Sequence, residues 1–295
     1  MDNSFPGKDI TTSDLIDKFP LAAKKAGQPY SKIKVDNVTI GGDETVVMAG
    51  PNVVESLGMM LEIAEQIKQS NAHILRGGAY KPLTFPYRSE KYFETGIDGL
   101  KWLQKAGQEF SMPTVSEATS EENVDEVANY VSMIQIGTRN MQNFNLLKKA
   151  ARTMKPILLK RGFGNSLRDF LGAAEYILNE GNSNIILCER GVVAPHTHRA
   201  TSRFLLDLQI VPAIKEISHL PIITDPSHAT FWAPWVSSMA LASIAAGAAG
   251  IMIEVHPDPK NAAVDPLQPL NYHQFKNLMK SVNILDSVKG SFILN

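Results

Sequence analysis

The chain has a single cysteine, Cys188, among 295 residues. An internal disulfide is therefore excluded, and so is a zinc site built from cysteines. That scarcity suits a reducing, cytoplasmic setting. An excess of charge is missing too: 29 basic side chains face 30 acidic ones, for a net charge of -1. Such a balance gives no general attraction to nucleic acid or to a membrane surface. The opening stretch MDNSFPGKDITTSDLIDKF has early acids and no apolar run, so it does not read as a signal peptide. One long uncharged stretch, residues 231–253, is interrupted by Pro234 and several Ser, Gly and Ala residues. It reads as a small-residue helix followed by a buried strand, not as a membrane span. Internal repeats, low-complexity tracts and interdomain linkers are absent.

What is present is a regular alternation. Short apolar runs occur at Thr45–Ala49, Ala72–Leu75, Pro113–Val115, Ser132–Ile136, Pro156–Leu159, Asn184–Leu187, Pro221–Thr224 and Gly250–Ile253. They are rich in Ile, Leu and Val and do not alternate with polar residues, as expected of strands buried on both faces of a parallel sheet. Helical patterns lie between them. In Ser56–Ser70, Leu57, Met60, Leu61, Ala64 and Ile67 form one stripe. Ser120–Asn123 opens another helix, with acids in its first turn. Eight such β–α units imply an α/β fold, a closed (β/α)8 barrel of the TIM type. A doubly wound open sheet is the competitor, but no GxGxxG follows the first strand. Asp36–Asn37 between Lys32–Val35 and Val38–Ile40 predicts a hairpin that closes the bottom of the barrel. Residues 1–45 thus read as an N-terminal extension and hairpin, and 46–295 as the barrel.

In such barrels the active site lies at the C-terminal strand ends. Just past the eight runs come Asn52 and Glu55, Arg76 and Lys81, Glu117, Arg139, Lys160 and Arg161, Glu189 and Arg190, Asp225 and His228, and Glu254 and His256. Five cations from five strands (Arg76, Lys81, Arg139, Lys160 and Arg190) would repel one another at a single mouth unless an anion neutralised them. The alternative is that each pairs with a neighbouring acid such as Glu189 or Glu117. The set as a whole points to a small substrate with two or more anionic groups. His228, Glu254 and Asp265, with His256 nearby, form a second constellation. Imidazole and carboxylates suit a first-row divalent metal; the competing role for His228 is a structural hydrogen bond in its DPSH turn.

AGPNVVES (49–56), LRGGAYKPLTFPY (75–87), IGTRN (136–140), KPILLKRG (155–162), NIILCERG (184–191), LPIITDPSHAT (220–230) and GAAGIMIEVHPDP (247–259) together resemble the type I 3-deoxy-D-arabino-heptulosonate-7-phosphate (DAHP) synthases. The closest likeness is to the short bacterial-archaeal variant, related to the 3-deoxy-D-manno-octulosonate-8-phosphate (KDO8P) synthases. The resemblance implies a transferase of aromatic amino acid biosynthesis, the shikimate pathway. It would condense phosphoenolpyruvate with an aldose phosphate, erythrose 4-phosphate first, and release phosphate. It also implies roles. Arg139, Lys160 and Arg190 would bind the phosphoenolpyruvate phosphate and carboxylate, with Arg76 and Lys81 beneath and Thr84, Glu117 and Asp225 as further substrate contacts. Lys81, His228, Asn52 and Glu254 would be catalytic. His228, Glu254 and Asp265 would hold a divalent metal (Mn, Fe, Zn or Co), with no organic cofactor, in a homodimer or homotetramer.

The sequence departs from the family pattern at three places. Asn52 stands where the family has its fourth metal ligand, a Cys, and an amide oxygen is a poor replacement for thiolate. Metal-independent KDO8P synthases have Asn there, which implies that this chain needs no metal or holds one weakly. Leu83 and Phe85 replace an Arg and a Ser of the family's KPRTSPY. The segment 192–207, VVAPHTHRATSRFLLD, is a few residues longer than usual and adds His196 and His198. The phosphoenolpyruvate half is thus kept and the acceptor half altered. That leaves open a 3-deoxy-ulosonate synthase for a different aldose, its phosphate held by His196, His198 or Arg199, or a non-catalytic phosphoenolpyruvate-binding homologue. The chain lacks the extra length of a separate regulatory domain, so feedback inhibition through one is not expected. Trp232 and Trp235, after the seventh strand, read as ordinary loop packing, with interface or lid residues as the alternative.

Overall fold

The computed structural model describes residues 17–81, 94–195, 198 and 204–292. Strands β1 (Ile33–Val35) and β2 (Val38–Ile40) form the expected hairpin. Its turn residue Asp36 has φ 50°, the left-handed conformation that two-residue hairpin turns require. Next come β3 (Val46–Gly50), β4 (Ile74–Arg76), β5 (Thr114–Ala118), β6 (Met133–Ile136), β7 (Ile157–Lys160) and β8 (Ile185–Glu189). A small antiparallel ribbon of β9 (Val192–Val193) and β10 (Phe204–Leu205) follows, then β11 (Ile222–Thr224) and β12 (Gly250–Glu254). Strands β3–β8, β11 and β12 are all parallel and close a barrel, each drawn from one of the eight apolar runs.

The crossovers carry α1 (Leu57–Gln69), α2 (Gly96–Glu109), α3 (Val124–Tyr130), α4 (Phe144–Arg152), α5 (Leu167–Asn179), α6 (Ile210–Ile217), α7 (Pro226–Thr230) and α8 (Ala233–Ala245), with α9 (Tyr272–Phe292) last. Ser56 caps α1 by accepting from Met59 N at 3.2 Å. The buried face of α1 is Met60, Ile63, Ala64 and Ile67; Leu57 and Leu61 are only half-buried, so the face is turned relative to the expected stripe. The segment after Ser120 starts as a 3₁₀ turn over Glu121–Asn123, because a Ser120–Asn123 capping box tightens it before α3 begins. Residues 233–254 are the small-residue helix α8 and the buried strand β12. Among the described residues no helix is long and apolar enough to cross a membrane.

Strand alternation divides the core in two. Val47, Ala49, Leu75, Ile134, Ile136, Ile157, Leu159, Ile185, Leu187, Ile222, Ile251 and Ile253 face outward and pack with the helices. Val46, Met48, Ile74, Val115, Met133, Leu158, Ile186, Cys188, Ile223 and Met252 face inward and fill the barrel. Ile33, Val35 and Ile40 of the hairpin join that inner cluster, so the hairpin closes one end of it. Neighbouring side chains on a strand point to opposite faces, so the next inward position lies two residues on. From Ile74 it is Arg76, from Val115 Glu117, from Met133 Gln135 and from Leu158 Lys160. From Cys188 it is Arg190, from Ile223 Asp225 and from Met252 Glu254. On β3 the corresponding place is Gly50, at φ 144°, where any Cβ would run into the Arg76 carbonyl oxygen. Asn52, two further on, takes the polar role.

Candidate active site

The apolar layers therefore end in a ring of polar side chains at the C-terminal strand ends: Asn52, Arg76, Glu117, Gln135, Lys160, Arg190, Asp225 and Glu254, all buried. Lys81, in the loop after β4, adds its ammonium group, which donates to Asn52 Oδ1 at 2.6 Å. Asn52 Nδ2 donates in turn to Asp265 Oδ2 at 2.9 Å. Burial lowers the pKa of Lys81, with Glu117 opposing that shift.

Asp225, at the end of β11, accepts from Lys160 Nζ at 2.6 Å, from His228 Nδ1 at 3.0 Å and from the His228 backbone N–H at 3.1 Å. Burial works to raise its pKa, but the groups around it, His228 first and then Lys160, hold it well below the ordinary carboxylate range. His228 is shifted down by burial and by the cations Lys160 and Arg76, against the pull of Asp225, so its imidazole is neutral. An ionised Asp225 then fixes the proton on Nδ1 and leaves Nε2 with a lone pair. That nitrogen lies 3.8 Å from Glu254 Oε2. Glu254 accepts from Gln268 Nε2 at 2.5 Å, and burial pushes its pKa up to about 8.

Arg76 and Arg190 differ from Lys160. Arg76 NH1 stands 3.9 Å from Glu254 Oε2, beyond hydrogen-bonding range. Among the described residues, one terminal nitrogen of each guanidinium is buried without a hydrogen-bond partner. The alternative pairing of Glu189 with a ring cation does not occur among the described residues: both its chain neighbours, Cys188 and Arg190, point inward, so Glu189 points outward. There it meets Arg161, which is likewise out of step with Lys160, at 3.0 Å. Arg161 also binds Asp207 at 2.8 Å. Arg139 sits exposed in a 3₁₀ turn after β6, with its guanidinium 5.6 Å from the Phe163 ring, so it occupies the rim and not the buried ring. His256 is drawn away to Glu55, at 3.2 Å. Gln135, which donates to Glu117 Oε2 at 2.7 Å, is a ring member that motif reading overlooks; its two-residue step from Met133 would have found it.

Three comparisons bear on this ring. Residues 19–288 match the family described as DAHP synthetase I. A phospho-2-dehydro-3-deoxyheptonate aldolase of Thermotoga maritima is 42% identical over 272 residues, covering 92% of this chain and 79% of that protein. The chain belongs to the DAHP synthetase I family. A crystal structure of the Thermotoga aldolase, also named DAHP synthase, superposes with a TM-score of 0.85 at 41% identity, covering 91% of this chain and 77% of that one. A truncated form of the Thermotoga synthase gives 0.83 at 40% identity, covering 92% and 98%. A 2-dehydro-3-deoxyphosphooctonate aldolase of Geotalea uraniireducens is 28% identical, covering 87% of this chain and 98% of that protein.

Within this DAHP synthetase I chain the metal question turns on the donors. His228 Nε2 and Glu254 lie 3.8 Å apart, with Asp265 the further carboxylate of the predicted set, and Asp225 orients the imidazole as a carboxylate does in many metal sites. The fourth place is Asn52, whose oxygen already accepts from the Lys81 ammonium group and whose nitrogen binds Asp265. Among the described residues no three His, Cys, Asp or Glu side chains are gathered closely enough to hold an ion. These residues do not fit a four-ligand transition-metal centre. Thr84, Leu83, Phe85, His196 and Arg199 lie outside the described residues. His198 is exposed, its ring edge-on to Trp235 at 6.3 Å. Trp232 and Trp235 are half-buried.

Proposed function

We propose that this enzyme condenses phosphoenolpyruvate with erythrose 4-phosphate to give DAHP and inorganic phosphate. One observation carries the reading: among the described residues, Arg76 and Arg190 each bury a guanidinium nitrogen that has no hydrogen-bond partner. Each such donor costs roughly 1–3 kcal/mol. An anion entering the ring would remove that cost at both, and phosphoenolpyruvate brings a phosphate and a carboxylate together. Arg190, Lys160 and Arg76, with Arg139 at the rim, would divide those two groups among them.

The deeper substrate is then held with its C3 facing the mouth. That carbon attacks the aldehyde carbon of the acceptor, and the new C–C bond leaves an alkoxide, which takes a proton. Lys81, whose pKa burial lowers, is placed to donate it. Water adds to the cationic C2, its proton passing to a ring base, and the hemiketal phosphate collapses with C–O cleavage. Asn52, fixed between Lys81 and Asp265, orients that water. The protein contributes mainly charge neutralisation and alignment.

No metal takes part in this reading, because the Lys81–Asn52 pair fills the fourth-ligand position. Activity should survive dialysis against a chelator; complete loss restored by manganese would refute the point. A second reading keeps phosphoenolpyruvate and changes the aldose. Leu83 favours it, since losing a guanidinium–phosphate bond costs on the order of 1.5–3 kcal/mol. The deciding experiment measures phosphate release from phosphoenolpyruvate with a panel of aldoses. Erythrose 4-phosphate is expected to be fastest. A different aldose turning over faster supports the second reading, and no release with any aldose ends both, leaving a binding homologue. On this reading the chain works in the shikimate pathway, in the cytoplasm, as a homodimer or homotetramer.

A further inference from the structure

Arg190 is a buried cation without a counter-ion. Among the described residues it forms no ion pair, and its neighbours are instead two phenyl rings. Its guanidinium carbon lies 4.9 Å from the Phe163 centroid and 4.4 Å from the Phe204 centroid. The two rings stack on each other at 4.8 Å and 12°. Phe163 reaches the rim arginine as well, at 5.6 Å from Arg139. The arrangement is tied down from both sides. Phe163 O accepts from Val193 N at 2.8 Å, which joins the loop after β7 to the β9–β10 ribbon. Gly191, directly after Arg190, donates to Glu189 Oε1 at 2.6 Å, and a Cβ at that glycine would meet Phe204. Burial acts against the charge on Arg190, as does Arg139; Asp225 and Glu189 support it from a distance without pairing with it.

We infer that Phe163 and Phe204 are positioning residues that hold Arg190 by the negative faces of their rings, in the place where a carboxylate would ordinarily sit. A carboxylate would hold the guanidinium more strongly but would cancel its charge and repel an arriving anion. A ring quadrupole holds the cation without a formal charge. The hydrogen-bonding edge stays open, as the partnerless Arg190 nitrogen is. Phe204 belongs to the ribbon and Phe163 to the β7 loop, so the clamp also joins anion binding to the seating of that ribbon. The inference rests on the reading of the ring as a phosphoenolpyruvate site, and it names two residues that set the affinity of that site.

The test replaces each phenylalanine in turn with mono-, tri- and pentafluorophenylalanine, which weakens the ring's negative face at nearly constant shape. Phosphoenolpyruvate and inorganic phosphate are titrated separately by calorimetry, and steady-state rates are recorded. Affinity for both anions should fall stepwise with fluorine count, by about tenfold in total at each position. KM for phosphoenolpyruvate should rise while kcat at saturation stays within about twofold, because the ring touches no reacting atom. Phe204→Tyr should keep the affinity and Phe204→Leu should lose it. Unchanged phosphate affinity across the fluorinated series, or a leucine variant that binds like the parent, overturns the inference, since a merely space-filling ring predicts both. If phosphoenolpyruvate fails to bind while phosphate affinity still tracks fluorine count, the clamp stands and the proposed substrate falls.

Discussion

Asp225→Asn is the most informative single change in the ring. The carboxylate is fully buried and does two things: it neutralises Lys160 at 2.6 Å and fixes the His228 proton at 3.0 Å. Removing its charge leaves a buried ammonium without an ion-pair partner, and breaking a buried pair in this way costs about 3–5 kcal/mol. The amide oxygen can still accept from Lys160, so the lower figure, about 3 kcal/mol, is expected in equilibrium urea unfolding at pH 7. The pH dependence has a definite sign. The folded-state pKa of Asp225 is depressed, so its contribution is complete above the unfolded value, about 3.9, and is lost as the pH falls through the folded value. The stability gap between wild type and variant should be constant from pH 7 to about 5 and shrink on further acidification. Phosphoenolpyruvate binding should weaken too, since the Lys160 ammonium group loses its anchor. A variant as stable as wild type at pH 7, or a gap that widens on acidification, would show that the Lys160–Asp225 contact does not carry the assigned energy.

Three further outcomes are expected. Arg161→Met should lower the unfolding free energy in urea by about 3 kcal/mol, yet change phosphoenolpyruvate affinity less than Lys160→Met does; calorimetry on both variants checks the inward–outward assignment. Gly137→Ala should impair binding with little effect on folding elsewhere, because its methyl group would displace the Glu117 carboxylate; a KM for phosphoenolpyruvate equal to that of the parent refutes it. Cys188 should resist thiol reagents in the native protein and react only on unfolding, since it is fully buried in the barrel and burial raises its pKa. Labelling followed by mass spectrometry reads that directly.

The eight strands were legible because each is a short, doubly buried apolar run between helical patterns, a signal that survives without any partner information. The hairpin was equally plain from Asp36–Asn37. The ring was legible as a set of strand-end residues but not in its membership. Lys160 and Arg161 are adjacent and both basic, and only the phase of β7 relative to Leu158 separates the one facing inward from the one bound to Glu189 and Asp207. Gln135 was invisible for the opposite reason: it lies inside a run and carries no charge. The displacement of Arg139 to the rim follows from the 3₁₀ turn at Thr138–Asn140, and nothing in IGTRN announces that turn. The aromatic contacts of Arg190 depend on Phe163 and Phe204 meeting across more than forty positions, a distance that no local pattern encodes.

The hairpin has a kinetic consequence. With Ile33, Val35 and Ile40 stoppering one end, reactants reach the polar ring from the other. Two reactants that share one entrance cannot pass each other, so the one lying further in must board first, and whatever forms beneath must wait for what lies above to clear. The order of arrival and departure is thus written into a short hairpin on the far side of the molecule from the chemistry.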